Sequence, residues 1–332
     1  MNRRPSWSRR GTLAGLAGLI GTGQTAAQPA AVAVLAPAEP TMPPGDAGAQ
    51  LETAFDAATR VSVPVFIDGK GPFRFVVDTG ANSSVVGVET AQACGLPVVA
   101  QAPVHGILSA QSAPLVQVRS LQVGEVRSRN LRLPIMPESA LGVSGLLGVD
   151  MLKDRRMVLD FDGQSFSIAS SQPGSYMAPG ANSRLSAPDA SVTVPARIRA
   201  GQLIIIDASA SGRAITAFLD SGSQVTVANG ALRELVFAAQ PRLGAGLISS
   251  SLVSATGQRA LATFGPLPGL RIGRLLIDAP LVAFSDLHIF ALWKLQQTPS
   301  LLLGVDLLRR FRKIAFDYGR KELTLWPKRI RG

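Results

Sequence analysis

Short runs of Val, Ile, Phe and Leu alternate with polar residues along most of the chain, and Asp-Gly or Gly-rich stretches separate them. A period of two broken by turn residues predicts half-buried strands joined by tight turns. Helical signals are brief: 89–93, 231–237, 149–153 and 305–311 have room for a turn or two each. The pattern therefore predicts a mostly β protein with short helices.

The pattern is written twice. The first copy runs from Val61-Ser-Val-Pro-Val-Phe-Ile-Asp-Gly through Phe73-Arg-Phe-Val-Val to Asp78-Thr79-Gly80-Ala81. The second runs from Ala196-Arg-Ile-Arg through Ile215-Thr-Ala-Phe-Leu to Asp220-Ser221-Gly222-Ser223. Each copy later carries Leu-Leu-Gly-Val-Asp, at 146–150 and 302–306, and ends in a hairpin-like unit, at 157–168 and 314–325. Asp78 and Asp220 stand 142 positions apart, Gly148 and Gly304 stand 156, and Asp160 and Asp317 stand 157. Three matches in one order imply a duplication, with a loop insertion in the second copy. At 332 residues the chain suits about two domains.

The ends differ from this body. Residues 1–27 contain Arg9-Arg10 ahead of an apolar, Gly-rich run and Thr25-Ala26-Ala27, which reads as a twin-arginine export signal with a periplasmic or secreted product. Residues 28–54 read as a flexible leader, 55–170 as the first lobe, 171–190 as a Pro/Gly/Ser-rich linker and 191–332 as the second lobe. No apolar run approaches the about 20 residues of a membrane span, so no integral span is expected after signal cleavage.

Net charge is +11, but its location removes the obvious inference. Residues 1–27 contribute +4 and residues 309–332 contribute +7, so the stretch between them is neutral. A neutral body argues against nucleic acid as a partner, and the basic end reads as a solvated tail. One cysteine, Cys94, in an apolar context reads as a buried small hydrophobe. With two histidines, His105 and His288, the chain cannot build a structural zinc site or an internal disulfide, and neither a metal nor a cofactor is expected.

The two Asp-[Thr/Ser]-Gly turns carry the candidate chemistry. A buried strand that ends on a carboxylate is costly unless that group is hydrogen-bonded. Gly80 and Gly222 let amides approach the carboxylate, while Thr79 and Ser221 supply bracing hydroxyls. Two such turns on duplicated lobes can face one another. Two close carboxylates then share one proton and can activate a water for hydrolysis of an amide.

Asp78-Thr79-Gly80-Ala81 resembles the turn of retroviral-type aspartic peptidases, and Asp220-Ser221-Gly222-Ser223 that of bilobed, pepsin-like ones. Leu146-Leu147-Gly148 and Leu302-Leu303-Gly304 are similar to the hydrophobic-hydrophobic-Gly segment of both groups. The resemblance covers about residues 55–332 and implies two acid-protease-type β-barrel lobes related by a pseudo-twofold. It also implies catalytic Asp78 and Asp220, with Thr79, Gly80, Ser221 and Gly222 bracing them, a peptide or protein substrate, and a monomer. A flap is expected near 104–111, containing His105 and Gly106, without the tyrosine of pepsin-like flaps, since Tyr176 and Tyr318 stand elsewhere.

Asp150 and Asp306 are expected to cap short helices, and Asp160 and Asp317 to be surface or turn residues. Trp293 and Trp326 are expected in the core. Two other functions remain: a catalytically silent peptide-binding module, and a glycoside hydrolase, which 5% aromatic content disfavours.

Overall fold

The computed structural model describes residues 49–52, 54–55, 60–171, 191–199, 202–205, 207–254 and 258–328. The export signal (1–27), all but the end of the leader, and 172–190 of the linker lie outside the described residues. The described part is mostly β, arranged as two lobes over a shared sheet. None of its helices is long and apolar enough to cross a membrane.

The first lobe closes on itself. Val61–Ile67 and Lys70–Val77 form a hairpin about Asp68-Gly69, whose φ angles of 51° and 83° suit the tight turn that Asp-Gly favours. From Lys70–Val77 the ladder passes to Gly145–Leu147, Val85–Gly87, Val126–Met136 and Ala110–Val123. Ala110–Val123 returns to Val61–Ile67 through Phe66–Gln122 and Ile67–Leu121, completing a six-stranded barrel. Alternate side chains point inward: Val63, Val65, Ile67, Phe75, Val77, Val118, Leu121 and Leu147 are buried at 1% exposure or less. Each contributes about 1.5–3 kcal/mol of apolar burial.

The second lobe follows the same order in shorter pieces. Thr216–Leu219 lies parallel to Ser300–Leu303, which pairs with Val227–Ala228, then Leu281–Phe284, Arg259–Pro266 and Ile248–Val253. The closing contact is made by a separate small sheet, where Ala208–Ala210 pairs with Leu270–Ile272. The counterpart of the 14-residue strand Ala110–Val123 is cut in two by Pro266-Leu267-Pro268-Gly269, with Gly269 at φ 64°. Closely spaced prolines remove ladder donors where a continuous strand would need them.

Both lobes stand on one antiparallel sheet. Its order is Ala49–Glu52, Ser165–Ser170, Arg155–Asp160, Phe311–Asp317, Glu322–Pro327, Val192–Arg199. The order is a palindrome about the central pair, in which Val158 faces Ala315. Two expectations change here. The end of the expected leader, Ala49–Glu52, is an edge strand of this sheet. The basic end is no solvated tail: it is the central hairpin of the second lobe, because Ile314, Phe316, Leu323 and Leu325 are fully buried. Its cations stay at the margin, with Lys313 at 3.2 Å from Asp160 and Lys328 at 3.8 Å from Asp162. Burial of both faces at 314–317 and of alternate residues in the paired strand outweighs composition here.

Helices form at Val88–Cys94 and Gly230–Ala239, close to the expected spans. Asn229 caps the second by accepting from the Leu232 amide. Glu138–Leu141 and His288–Leu292 are short helices that the periodicity did not announce.

Candidate active site

Phe75, Val76 and Val77 are fully buried, and the strand they end delivers Asp78 to the floor of a cleft between the lobes. The Asp78 amide donates to the Leu147 carbonyl at 3.0 Å, and the Asp220 amide to that of Leu303 at 3.0 Å. Each carboxylate then receives two amides of its own turn. Gly80 and Ala81 donate to Asp78 Oδ1 at 2.9 and 3.0 Å, and Gly222 and Ser223 to Asp220 Oδ1 at 3.0 Å each. Two backbone donors per oxygen fix its direction and offset part of its desolvation.

The hydroxyls cross between lobes. Thr79 Oγ1 donates to the Leu219 carbonyl at 3.0 Å and accepts from the Ser221 amide at 3.0 Å. Reciprocally, Ser221 Oγ donates to the Val77 carbonyl at 2.8 Å and accepts from the Thr79 amide at 3.1 Å. Four buried bonds thus lock the two turns into one unit. The glycines explain how closely they meet: a Cβ on Gly80 would sit 2.5 Å from Asp220 Cγ, and a Cβ on Gly222 would collide with the Asp78 carboxyl. Each carboxyl therefore lies against the glycine of the opposite turn.

A second tier holds these turns from behind. Ser84 Oγ donates to Asp150 Oδ1 at 2.7 Å and accepts from the Gly148 amide at 3.0 Å. In the other lobe Thr226 Oγ1 donates to Asp306 Oδ1 at 2.6 Å and accepts from the Gly304 amide at 3.0 Å. Asp150 and Asp306 were expected as helix caps; the cap positions are Gly148 and Gly304, and both aspartates instead tie the Leu-Leu-Gly segment to the Asp turn. Gly148 and Gly304 are required by contact, since a Cβ at either would come within 2.5 Å of the backbone at Ser83 or Val225. The equal offsets (Ser84 and Thr226 six residues past each turn Asp, Asp150 and Asp306 two past each Gly) could have announced this tier from sequence.

Electrostatics separates the two carboxyls. Burial raises Asp78 above the ordinary carboxylate range, opposed by the Gly80 and Ala81 amides and by the positive charge of Arg60. Burial raises Asp220 well above that range, and the negative charge of Asp78 pushes it further. Asp220 is 4% exposed, whereas Asp78 keeps an edge open to the cleft. Like charges this close favour one proton shared by the pair.

The cleft has a volume of about 950 Å³. Its second-lobe wall is apolar, with Trp293 stacked on Phe218 at 4.4 Å between centroids. Two hairpins roof it. The first, Val98–His105 with Ala110–Val123, carries His105 and Gly106 at its tip. The second, Ile248–Val253 with Arg259–Pro266, was not anticipated. The hairpins meet where Ser109 Oγ donates to Gln258 Oε1 at 2.7 Å. The first tip also reaches the second lobe: His105 Nδ1 lies 3.2 Å from His288 Nε2, and the Ile289 amide donates to the Ile107 carbonyl at 3.2 Å.

Other candidates fall elsewhere. Asp160 and Asp317 are both turn residues, accepting from the Gly163 amide at 2.7 Å and the Arg320 amide at 2.8 Å, and Asp317 is buried at 5% exposure. Cys94 is buried in the first-lobe core and Trp326 is only half-buried. Tyr176 lies outside the described residues. Tyr318 is no flap residue, yet it is buried near the pair: burial and the charges of Asp78 and Asp220 hold its hydroxyl unusually high. That hydroxyl has no hydrogen-bond partner among the described residues. Sequence reasoning set Tyr318 aside as no flap residue and gave neither Arg60 nor His288 a place in the site. Among the described residues no group of three or more His, Cys, Asp or Glu side chains is placed to hold a metal ion.

Comparison with known proteins bears on the first lobe. Residues 63–154 match the family model described as gag-polyprotein putative aspartyl protease, a retropepsin-like family. No curated protein matches the chain.

Proposed function

We propose that this chain, retropepsin-like in its first lobe, is an exported, monomeric aspartic endopeptidase whose catalytic pair is Asp78 and Asp220. The observation that carries the reading is the reciprocal packing of each carboxyl against the glycine of the opposite turn, within the four-bond lock of Thr79 and Ser221. With one proton between the two groups, the ionised carboxylate takes a proton from a water lying between them. The hydroxide so formed adds to the peptide carbonyl carbon, whose oxygen is hydrogen-bonded by the protonated partner. The proton then passes to the amide nitrogen as the C–N bond breaks, giving a carboxylic acid and an amine, and the pair returns to its starting state. Electrons stay paired throughout and the chemistry draws only on these two residues and water.

An extended peptide of several residues fits a cleft of this volume, roofed by the two hairpins. Both half-sites lie on one chain, so a second copy is unnecessary for the chemistry. The neutral body gives no purchase for nucleic acid, and the Arg9-Arg10 segment supports export to the periplasm or beyond.

The test is cleavage of a mixed peptide library between pH 3 and 7 by the chain from residue 28 onward. Asp78→Asn and Asp220→Asn are each expected to lower cleavage at least ~10³-fold. Cleavage that survives both substitutions would overturn the pair. Peptide binding without cleavage by the parent at any pH would replace the enzyme with a peptide-binding module of the same fold.

A further inference from the structure

The two turns repeat the same hydrogen bonds, yet the two carboxyls are not equivalent, and one side chain on the cleft wall contributes to the difference. Arg60 immediately precedes the strand Val61–Ile67 and is 8% exposed. It lines the cleft together with Asp78, and its Nη2 donates to the Leu141 carbonyl at 2.7 Å. That anchor uses one of the five guanidinium donors and fixes where the charge sits. In the first lobe Ser62 pairs with Val76, two residues before Asp78; in the second Ile204 pairs with Phe218, two residues before Asp220. Arg60 therefore corresponds to Gln202. The pseudo-twofold places a fixed cation on one side and a neutral residue type on the other.

We infer that Arg60 is a positioning residue that breaks the symmetry of the pair, making Asp78 the ionised base and leaving the shared proton on Asp220. This rests on the reading of Asp78 and Asp220 as a proton-sharing pair. A buried guanidinium stabilises a nearby carboxylate more than it would in water, because the intervening medium screens less. The other charged or titratable groups facing the pair leave this bias intact. Tyr318, beyond the strand Phe311–Asp317, is neutral through the working range and is influenced by both carboxyls. Arg132 on Val126–Met136 is exposed to solvent, and His105 lies at the exposed hairpin tip. Burial is the largest influence at both carboxyls; at Asp78 the Gly80 and Ala81 amides and then the Arg60 charge oppose it, whereas at Asp220 the charge of Asp78 adds to it.

The experiment is a carbon-13 NMR titration of aspartate carboxyls in the full chain, run on the parent, Arg60→Gln and Arg60→Lys. Arg60→Gln reproduces the second-lobe residue. It is expected to move the lower titration step of the pair upward by about one pH unit, narrowing its separation from the upper step. Arg60→Lys keeps the charge and is expected to restore most of the separation. A role limited to anchoring the Leu141 carbonyl would weaken the fold without moving the lower step. An unmoved step in Arg60→Gln, or an equal shift in Arg60→Lys, overturns the inference. If Arg60→Gln does not fold, Gln202→Arg carries the test from the other lobe: the upper step should fall, and an unchanged upper step overturns the assignment.

The titration does not depend on turnover, which keeps the two readings separable. A shifted step in a chain that cleaves no peptide leaves Arg60's role standing and removes the peptidase. A cleaving parent whose acid limb of kcat/KM is the same in Arg60→Gln removes the role of Arg60 and leaves the peptidase.

Discussion

At their turns the two lobes repeat the same hydrogen bonds, and away from them they diverge. Each Asp takes two amides, each hydroxyl crosses to the opposite carbonyl, and each Leu-Leu-Gly segment is tied by an Asp. The barrels behind those turns differ. One closes through a continuous 14-residue strand, and the other is split at Pro266-Leu267-Pro268-Gly269. Where two carboxyls must meet, small displacements are costly, so the geometry is the same on both sides. A barrel wall has only to be filled and hydrogen-bonded, so many sequences serve.

The largest effect should come from breaking the closest approach. Gly80→Ala would place a methyl 2.5 Å from Asp220 Cγ, and Gly222→Ala would drive one into the Asp78 carboxyl more closely still. Both are expected to lower kcat/KM about 10²-fold or more, because the carboxyls must move apart. Near-parental activity in either variant would show that one lobe yields, and the equivalence of the two turns would fail.

The second tier offers a milder comparison. Ser84→Ala and Thr226→Val each remove the hydroxyl that joins the Asp turn to the Leu-Leu-Gly segment, leaving the Gly148 or Gly304 amide short of a partner and taking one bond from half-buried Asp150 or from exposed Asp306. Each should cost about 1–3 kcal/mol in urea unfolding. A cost confined to Thr226→Val would mean that the closed first barrel compensates where the split one cannot.

What the sequence disclosed follows the same division. The meeting of the Asp78-Thr79 and Asp220-Ser221 turns was legible because a repeated motif marks corresponding positions of the two lobes. The mostly β class was legible from alternation. The central role of the basic end was obscured because charge counts ignore which face a residue points to; Ile314, Phe316, Leu323 and Leu325 carried the better signal. Arg60 and Tyr318 lie outside any motif. Their place beside the pair is set by strand pairings between residues far apart in sequence, which local pattern cannot report. Asp150 and Asp306 were read as caps from local spacing, and the true partners sit 66 and 80 residues away.

Asp78→Asn and Asp220→Asn also compare the lobes through stability. Asp220 is raised well above its unfolded range, so the folded state is penalised progressively as pH rises through its folded value, and fully above it. Asparagine removes that penalty. Asp220→Asn should therefore melt higher than the parent near pH 8, with the difference shrinking toward pH 3. Asp78, opposed by Arg60, should give a smaller gain over the same range. Equal gains would mean that the charge environment is symmetric after all.

The smallest expected effect concerns the hairpins, where the lobes meet despite their unlike barrels. Ser109 Oγ and Gln258 Oε1 are 2.7 Å apart, and Ile107 and Leu108 pack against the apolar wall of the second lobe. If the first tip is held by this contact, amide exchange at Gly106, which donates to the Ser109 carbonyl at 2.8 Å, should quicken in both Ser109→Ala and Gln258→Ala. The double variant should then exchange little faster than either single one. The shared contact predicts a coupling of about 0.5–1 kcal/mol, or roughly two- to fivefold in rate. Additive effects would mean that the hairpins move independently, and that the approximate symmetry of the molecule ends at the floor of the cleft. Coupled effects would extend it to the roof, with substrate entry requiring both lobes to release together.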